Sequence, residues 1–241
     1  MAKKATTITV RVIAKDGKFL GDDIGGSLIT IRNVQTGELL ANGYTRGGSG
    51  NTKEIMQTPR LWGAPIPTDS ASDFTARLDL DEPRLIEVTA YGPTGGLQSA
   101  HKVSATQWVI PGKDVTGGDG LMLVLPGLLV QVVEPITHLN LASLPAQVNF
   151  AANVTMMCGC PIGPPGVMDW DNKNFEVGAQ IRKDGKLIDE IKFEYAGQTS
   201  QFKGSYTVKR KGFYEADVYA YQAENGNTGT GRVTFFYMPE S

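Results

Sequence analysis

The chain has 241 residues, 23 basic and 25 acidic side chains for a net charge of −2, and 41% hydrophobic residues. That much apolar material supports one large or two ordinary domains and excludes a disordered chain. So even a balance of charge gives no electrostatic footing for nucleic acid or an anionic membrane surface, and neither is expected as a partner.

From Thr6 onward Ile8, Val10, Val12 and Ala14 alternate with Thr9, Arg11 and Ile13, the period of a half-buried strand, and Asp16-Gly17 supplies its exit turn. Leu28 to Asn33 and, after Thr36-Gly37, Leu39 to Thr45 read as the next two strands, and the three are expected to form a β-meander. Phe74 to Leu80 and Ile86 to Ala90 flank the Asp81-Glu82-Pro83 turn. Tyr91 to Gly118 carries four Gly/Pro turn signals around one extended piece, Val103 to Ile110, and Leu121 to Leu125 closes a first domain at Pro126-Gly127. No apolar period of 3.6 persists anywhere, so the fold class expected is all-β. The N-terminus has no apolar stretch of signal-peptide length, so the chain as written is expected to be leaderless, and its compartment stays open. The most apolar run, Leu121 to Ile136, is broken by Pro126, Gly127, Gln131 and Glu134 and falls short of the roughly 20 residues of a membrane span.

Within residues 1–126 the succession Val10-Arg11-Val12, Lys15-Asp16-Gly17-Lys18, Gly26 to Ile31, Thr36-Gly37-Glu38, Phe74 to Leu78 and Ile86 to Ala90 resembles the carboxypeptidase regulatory-like, transthyretin-like β-sandwich. The resemblance covers Thr6 to Tyr91 and implies a non-catalytic module. The chain departs from it between Arg46 and Ser72, an insertion far longer than an ordinary connection, and loops of that length in compact domains are functional or disordered. Gly47 to Lys53 lacks the Gly-Lys-Ser/Thr ending of a phosphate loop. Trp62, with Arg46 and Arg60, is of the residue types that anchor interfaces, and these three are the candidate contact residues. The plainer expectation is that Trp62 folds back over a sheet edge.

Residues 127–241 show seven short alternating segments: 128–134, 148–156, 175–183, 187–195, 200–209, 214–222 and 229–237. Seven strands in about a hundred residues are the signal of an immunoglobulin-like sandwich. Lys211 to Ala220 resembles the tyrosine-corner entry to the sixth strand, with Tyr214 at the corner, and Asn225 to Gly229 resembles the following turn of bacterial immunoglobulin-like, fibronectin-like domains. The whole is expected to be two β-sandwiches in tandem.

In that topology the second-to-third strand loop, Met157 to Asn174, lies at one end beside Ala223 to Gly229 and is expected to face the cleft between the domains. It carries both cysteines, Cys158 and Cys160. In one reading they are thiolate ligands of Cu(I), with Met156 and Met157 as further ligands and Met168 or His138 as neighbours, because sulfur-rich sites favour that ion. In a second they cycle between dithiol and a small-ring disulfide. In a third they are free, buried apolar residues in a loop stiffened by Pro161, Pro164 and Pro165.

Asp169 to Asn174 fails the calcium-loop pattern at its fifth, sixth and last positions and is expected to be a hydrogen-bonding turn. Lys209-Arg210-Lys211 reads as a solvated turn, as do Asp79, Asp81 and Glu82. His101 and His138 fall in different domains, and no Gly-X-Ser-X-Gly, His-Glu-X-X-His or dinucleotide fingerprint occurs. No catalytic residue is nominated. The sequence therefore points to a non-catalytic binding or structural protein acting through a protein partner or self-assembly, the alternative being a Cu(I)-binding or thiol-redox protein.

Overall fold

The computed structural model describes residues 3–66 and 69–239, so Pro67 and Thr68 of the insertion lie outside the described residues. The chain is all-β and divides into two compact units, one formed by Met1–Pro126 with Met157–Gly159 and the other by Gly127–Met156 with Cys160–Ser241. Among the described residues no helix is long and apolar enough to cross a membrane.

Among the described residues the first unit has the strands β1 (Lys4–Ala14), β2 (Leu28–Asn33), β3 (Leu39–Tyr44), β4 (Phe74–Leu80), β5 (Arg84–Gly92), β6 (His101–Val109) and β7 (Leu121–Leu125). They make a three-stranded sheet, β4-β1-β7, and a four-stranded sheet, β3-β2-β5-β6. Alternation sets the faces: Ala76, Leu78 and Leu80 of β4 are buried while Arg77 and Asp79 point out. The expected meander of β1, β2 and β3 does not form, because β1 pairs antiparallel with β4 and parallel with β7. The connection Lys15 to Ser27 is no tight hairpin; it buries Phe19 and Leu20 completely and carries a short 3-10 turn at Asp22–Ile24 on its way to the second sheet. At the rim Gly43 of β3 lies under the Phe74 ring of β4, where any Cβ would come within 2.3 Å of the ring, so glycine lets the two sheets close there.

The second unit follows with β8 (Leu128–Glu134), β9 (Leu139–Asn140), β10 (Ala146–Met156), β11 (Ile162–Gly163), β12 (Trp170–Asp171), β13 (Phe175–Lys183), β14 (Lys186–Lys192), β15 (Glu194–Tyr195), β16 (Gln201–Val208), β17 (Gly212–Gln222) and β18 (Asn227–Tyr237). Its sheets run β15-β16-β10-β8 and β14-β13-β17-β18-β9, with β11 and β12 a small parallel pair inside the long loop. The inward-facing rings interlock: Phe150 of β10 meets Phe235 of β18 edge-on at 6.0 Å, and Tyr214 of β17 stacks on Phe235 at 5.3 Å.

Tyr214 also makes the corner its sequence context suggests. Its ring is buried and its hydroxyl donates to the Arg210 carbonyl at 2.7 Å, tying the incoming turn to the start of β17. Tyr214→Phe keeps the stacked ring and deletes only this bond, so urea unfolding is expected to show a loss of about 1 kcal/mol. An unchanged midpoint would mean that the corner is held by packing alone.

Candidate functional site

The insertion between β3 and β4 is built from its base outward. Arg46 and Asp73 pair as an isolated antiparallel bridge, and Gly48 and Ala71 as a parallel one. The Asp22 carboxylate accepts the Gly47 N–H at 3.0 Å and a hydrogen bond from Arg46 Nη1 at 3.3 Å. The Gly47 N–H first, and Arg46 after it, hold that carboxyl below its ordinary pKa. Gly47 therefore spends its N–H on a carboxylate of the protein itself, in keeping with the missing phosphate-loop motif. Higher up, Asn51 accepts the N–H groups of Lys53 and Glu54 and opens a single π turn, Lys53–Gln57. That turn aims Ile55 inward, where it joins Ile13, Phe19 and Ala71 in a buried cluster flanked by Ile66 and Met122. A buried isoleucine is worth about 2 kcal/mol, which offsets the backbone entropy of one or two residues and fixes the lower part of the loop.

The tip is different. Leu61 is 86% exposed and Trp62 102% exposed, so Trp62 does not fold back over a sheet edge as the plainer expectation had it. The apolar side chains of the insertion that are buried are Ile55 and Ala71, with Ile66 partly so, and the indole is not among them. Of the three candidate contact residues, Arg46 sits at the base, ion-paired to Asp22 and 5.5 Å from the Tyr44 ring centre, whereas Arg60 and Trp62 stand exposed toward the tip.

Cys158 and Cys160 are both disulfide-bonded and, as the only cysteines, are bonded to each other; the expectation of free buried thiols is corrected in that respect. Their burial is as expected: Met156 and Met157 are fully buried, Cys158 is 1% exposed and Cys160 5%. The chain reverses through Gly159, which lies at φ +76° with Ile24 so close that a Cβ would sit 2.4 Å from its Cγ2. Met156 N–H donates to the Cys160 carbonyl at 3.0 Å across the turn. Glycine between the two cysteines is what allows this left-handed step and brings the sulfurs together. Closing so small a ring removes only about 1.5 kcal/mol of unfolded-chain entropy on the loop-closure account, below the 2–4 of an ordinary bridge. The disulfide is thus a minor structural staple. Beyond it the loop is pinned by Ser200, whose hydroxyl and N–H engage the N–H and C=O of Ile162.

His138 is not a neighbour of the cysteines. It precedes β9, which pairs with Phe235 and Phe236 at the far end of β18, about 30 Å along that strand from Asn227. Met168 packs against Gly163 within the loop, and Asp171 caps a 3-10 turn by accepting the Lys173 N–H, the hydrogen-bonding turn expected there. Asp81, Glu82 and Glu38 surround Arg84 at an exposed turn. Lys209 and Arg210 rim an open groove of about 440 Å³ with Lys183, Tyr206 and Tyr214.

One cluster had no sequence signal. The Tyr219 hydroxyl on β17 lies 2.7 Å from Glu190 of β14 and 3.2 Å from Glu176 of β13, and its single proton serves one carboxylate at a time. Burial first, then these two carboxylates, push its pKa well up, so the phenol stays protonated and acts as a latch across three strands. Gly178 makes room for the ring, since a Cβ there would meet the hydroxyl at 2.8 Å. Only the strand register, Gly178 opposite Tyr219 and Gln180 opposite Glu190, brings these groups together. Among the described residues no three His, Cys, Asp or Glu side chains gather as a metal site would require.

No family model matches the sequence, and none of the curated proteins compared with it does. Among solved structures, the fibronectin(III)-like modules of CbhA from Clostridium thermocellum are similar at 11% identity, covering 97% of this chain and 93% of that one, with a TM-score of 0.29. A DUF3823 family protein from Bacteroides uniformis is similar at 12% identity over 96% of this chain and 97% of its own, with a TM-score of 0.26.

Proposed function

We propose that the chain is a non-catalytic β-sandwich binding or structural protein that works through protein–protein contact, with Trp62 as the anchor of its contact surface and Arg60 beside it. The observation that carries this reading is the full exposure of Trp62 and Leu61 above a loop base fixed by backbone bridges and a buried cluster. Burying an indole recovers on the order of 3 kcal/mol of apolar transfer free energy, and tryptophan and arginine are among the residue types enriched at the hot spots of interfaces. The first unit's sequence resembles transthyretin-like modules, which are non-catalytic, a support that is analogy of fold alone. With the chain immobilised and a bound partner protein captured, Trp62→Ala is expected to weaken retention at least about tenfold while leaving the unfolding midpoint unchanged. Equal retention by the variant would remove Trp62 as the anchor.

A second reading is favoured by the disulfide itself. In it the Cys158–Cys160 pair exchanges with an external dithiol, which gives up two electrons and two protons and becomes a disulfide while both cysteines become thiols. The reduced pair, with Met156 and Met157, is then the sulfur set for Cu(I). Reduced protein is expected to compete with a chromophoric chelator for Cu(I), and Cys158→Ser to abolish that competition. No competition by the reduced wild type would sink the copper reading.

A further inference from the structure

Each strand that ends a sheet presents a row of backbone N–H and C=O groups to any other strand, and proteins blunt such edges by keeping them short, charged, bulged or covered. Nearly every end strand here is blunted. β9 and β15 have two residues each, and β7 has five. β14 carries Lys186, Asp189, Glu190 and Lys192 and lies opposite a register shift at Ile181/Arg182. β4 has Arg77 and Asp79 and continues into the insertion base at Asp73. β3 lies opposite a shift at Ile31/Arg32 and has Gly43 seated against the Phe74 ring. β8 ends in Glu134 opposite a shift at Ala151/Ala152.

β6 is the least blunted of them, its one charge being Lys102 near its start. It is nine residues long, pairs with β5 without a register break and, among the described residues, has no strand hydrogen-bonded to its other side. From Val103 to Val109 it reads Val-Ser-Ala-Thr-Gln-Trp-Val, with no charge, proline or glycine and a high share of strand-forming residues. Lys102, Ser104, Thr106 and Trp108 are exposed on one face. Ala105 and Gln107 share the other face with buried Val109 and are exposed as well. Trp108 alone leaves 57% of its surface uncovered.

We infer that β6 is a strand-addition edge whose occupant is β6 of a second copy of this chain, paired antiparallel about a two-fold axis at Ala105. The strand is complementary to itself in that arrangement. Lys102 falls opposite Trp108, an ammonium over an indole on each side of the axis. Ser104 falls opposite Thr106, a hydroxyl pair of the kind that stabilises cross-strand neighbours, and Val103 opposite Gln107. Lys102 is the only formally charged residue of the strand, so no two like charges meet across the junction. The pairing is isologous and closes at two copies, joining the two four-stranded sheets into one of eight. The insertion around Trp62 takes no part in it, so this inference stands or falls separately from the contact function proposed above.

Sedimentation equilibrium decides the matter. Wild type is expected to move from single-chain to two-chain mass as its concentration rises to about 100 µM, the range in which an association resting on one strand pair registers. Ala105→Lys and Ala105→Glu each place like charges directly opposite across the axis and are expected to raise the dissociation constant about tenfold. Because Ala105 is exposed, both variants should keep the wild-type unfolding midpoint. An equimolar mixture of the two puts Lys opposite Glu and is expected to recover the two-chain mass. Wild type remaining a single chain throughout, assembling beyond two chains, or pairing equally well in either variant alone would overturn the inference, and so would a mixture that fails to recover.

Discussion

Every strand of this protein is constrained by the same requirement: a backbone N–H or C=O must find a partner, and in a sandwich the last strand of each sheet can satisfy only one side from within. The sequence answers that requirement differently at each edge. The charged β14 and the two-residue β9 and β15 discourage addition, and Gly43 admits the Phe74 ring to cover β3. β6, long and uncharged past Lys102, leaves the requirement open. Packing against the core does not explain it, because its side chains from Ser104 to Trp108 are exposed on both faces.

The second feature that folding leaves unexplained is the insertion tip. The lower loop is well accounted for: Asp22 holds Arg46 and Gly47, Ile55 and Ala71 extend the core, and Ser72 donates its hydroxyl to the Leu20 carbonyl at 2.7 Å. None of this requires Leu61-Trp62 to be apolar. The first unit thus leaves two features uncovered that folding does not require, an apolar loop tip at Leu61-Trp62 and the β6 sheet edge with its exposed Trp108.

Strand positions were largely legible in the sequence, since a period of two in Ile8 to Ala14 or Phe74 to Leu80 directly records which face is buried. Pairing was less so. Alternation marks the faces of β1 and says nothing of its neighbours, which is how a meander was expected where β4 and β7 flank it. The tyrosine corner was readable because it is local, spanning Arg210 to Tyr214. The Tyr219 latch was not, because Glu176, Glu190 and Tyr219 meet only through strand register. Residue type drew attention to Cys158 and Cys160, but their bonding depended on the left-handed turn at Gly159 and the burial around it, which residue type does not encode.

The central claim is that β6 is an open edge awaiting a strand, and hydrogen exchange reads it most directly. In dilute solution the amides of Val103 to Val109 facing away from β5 are expected to exchange fast, and at high concentration to gain protection that the charged edge β14 does not gain. Protection of those amides already complete in dilute solution, or unchanged by concentration, would contradict the account.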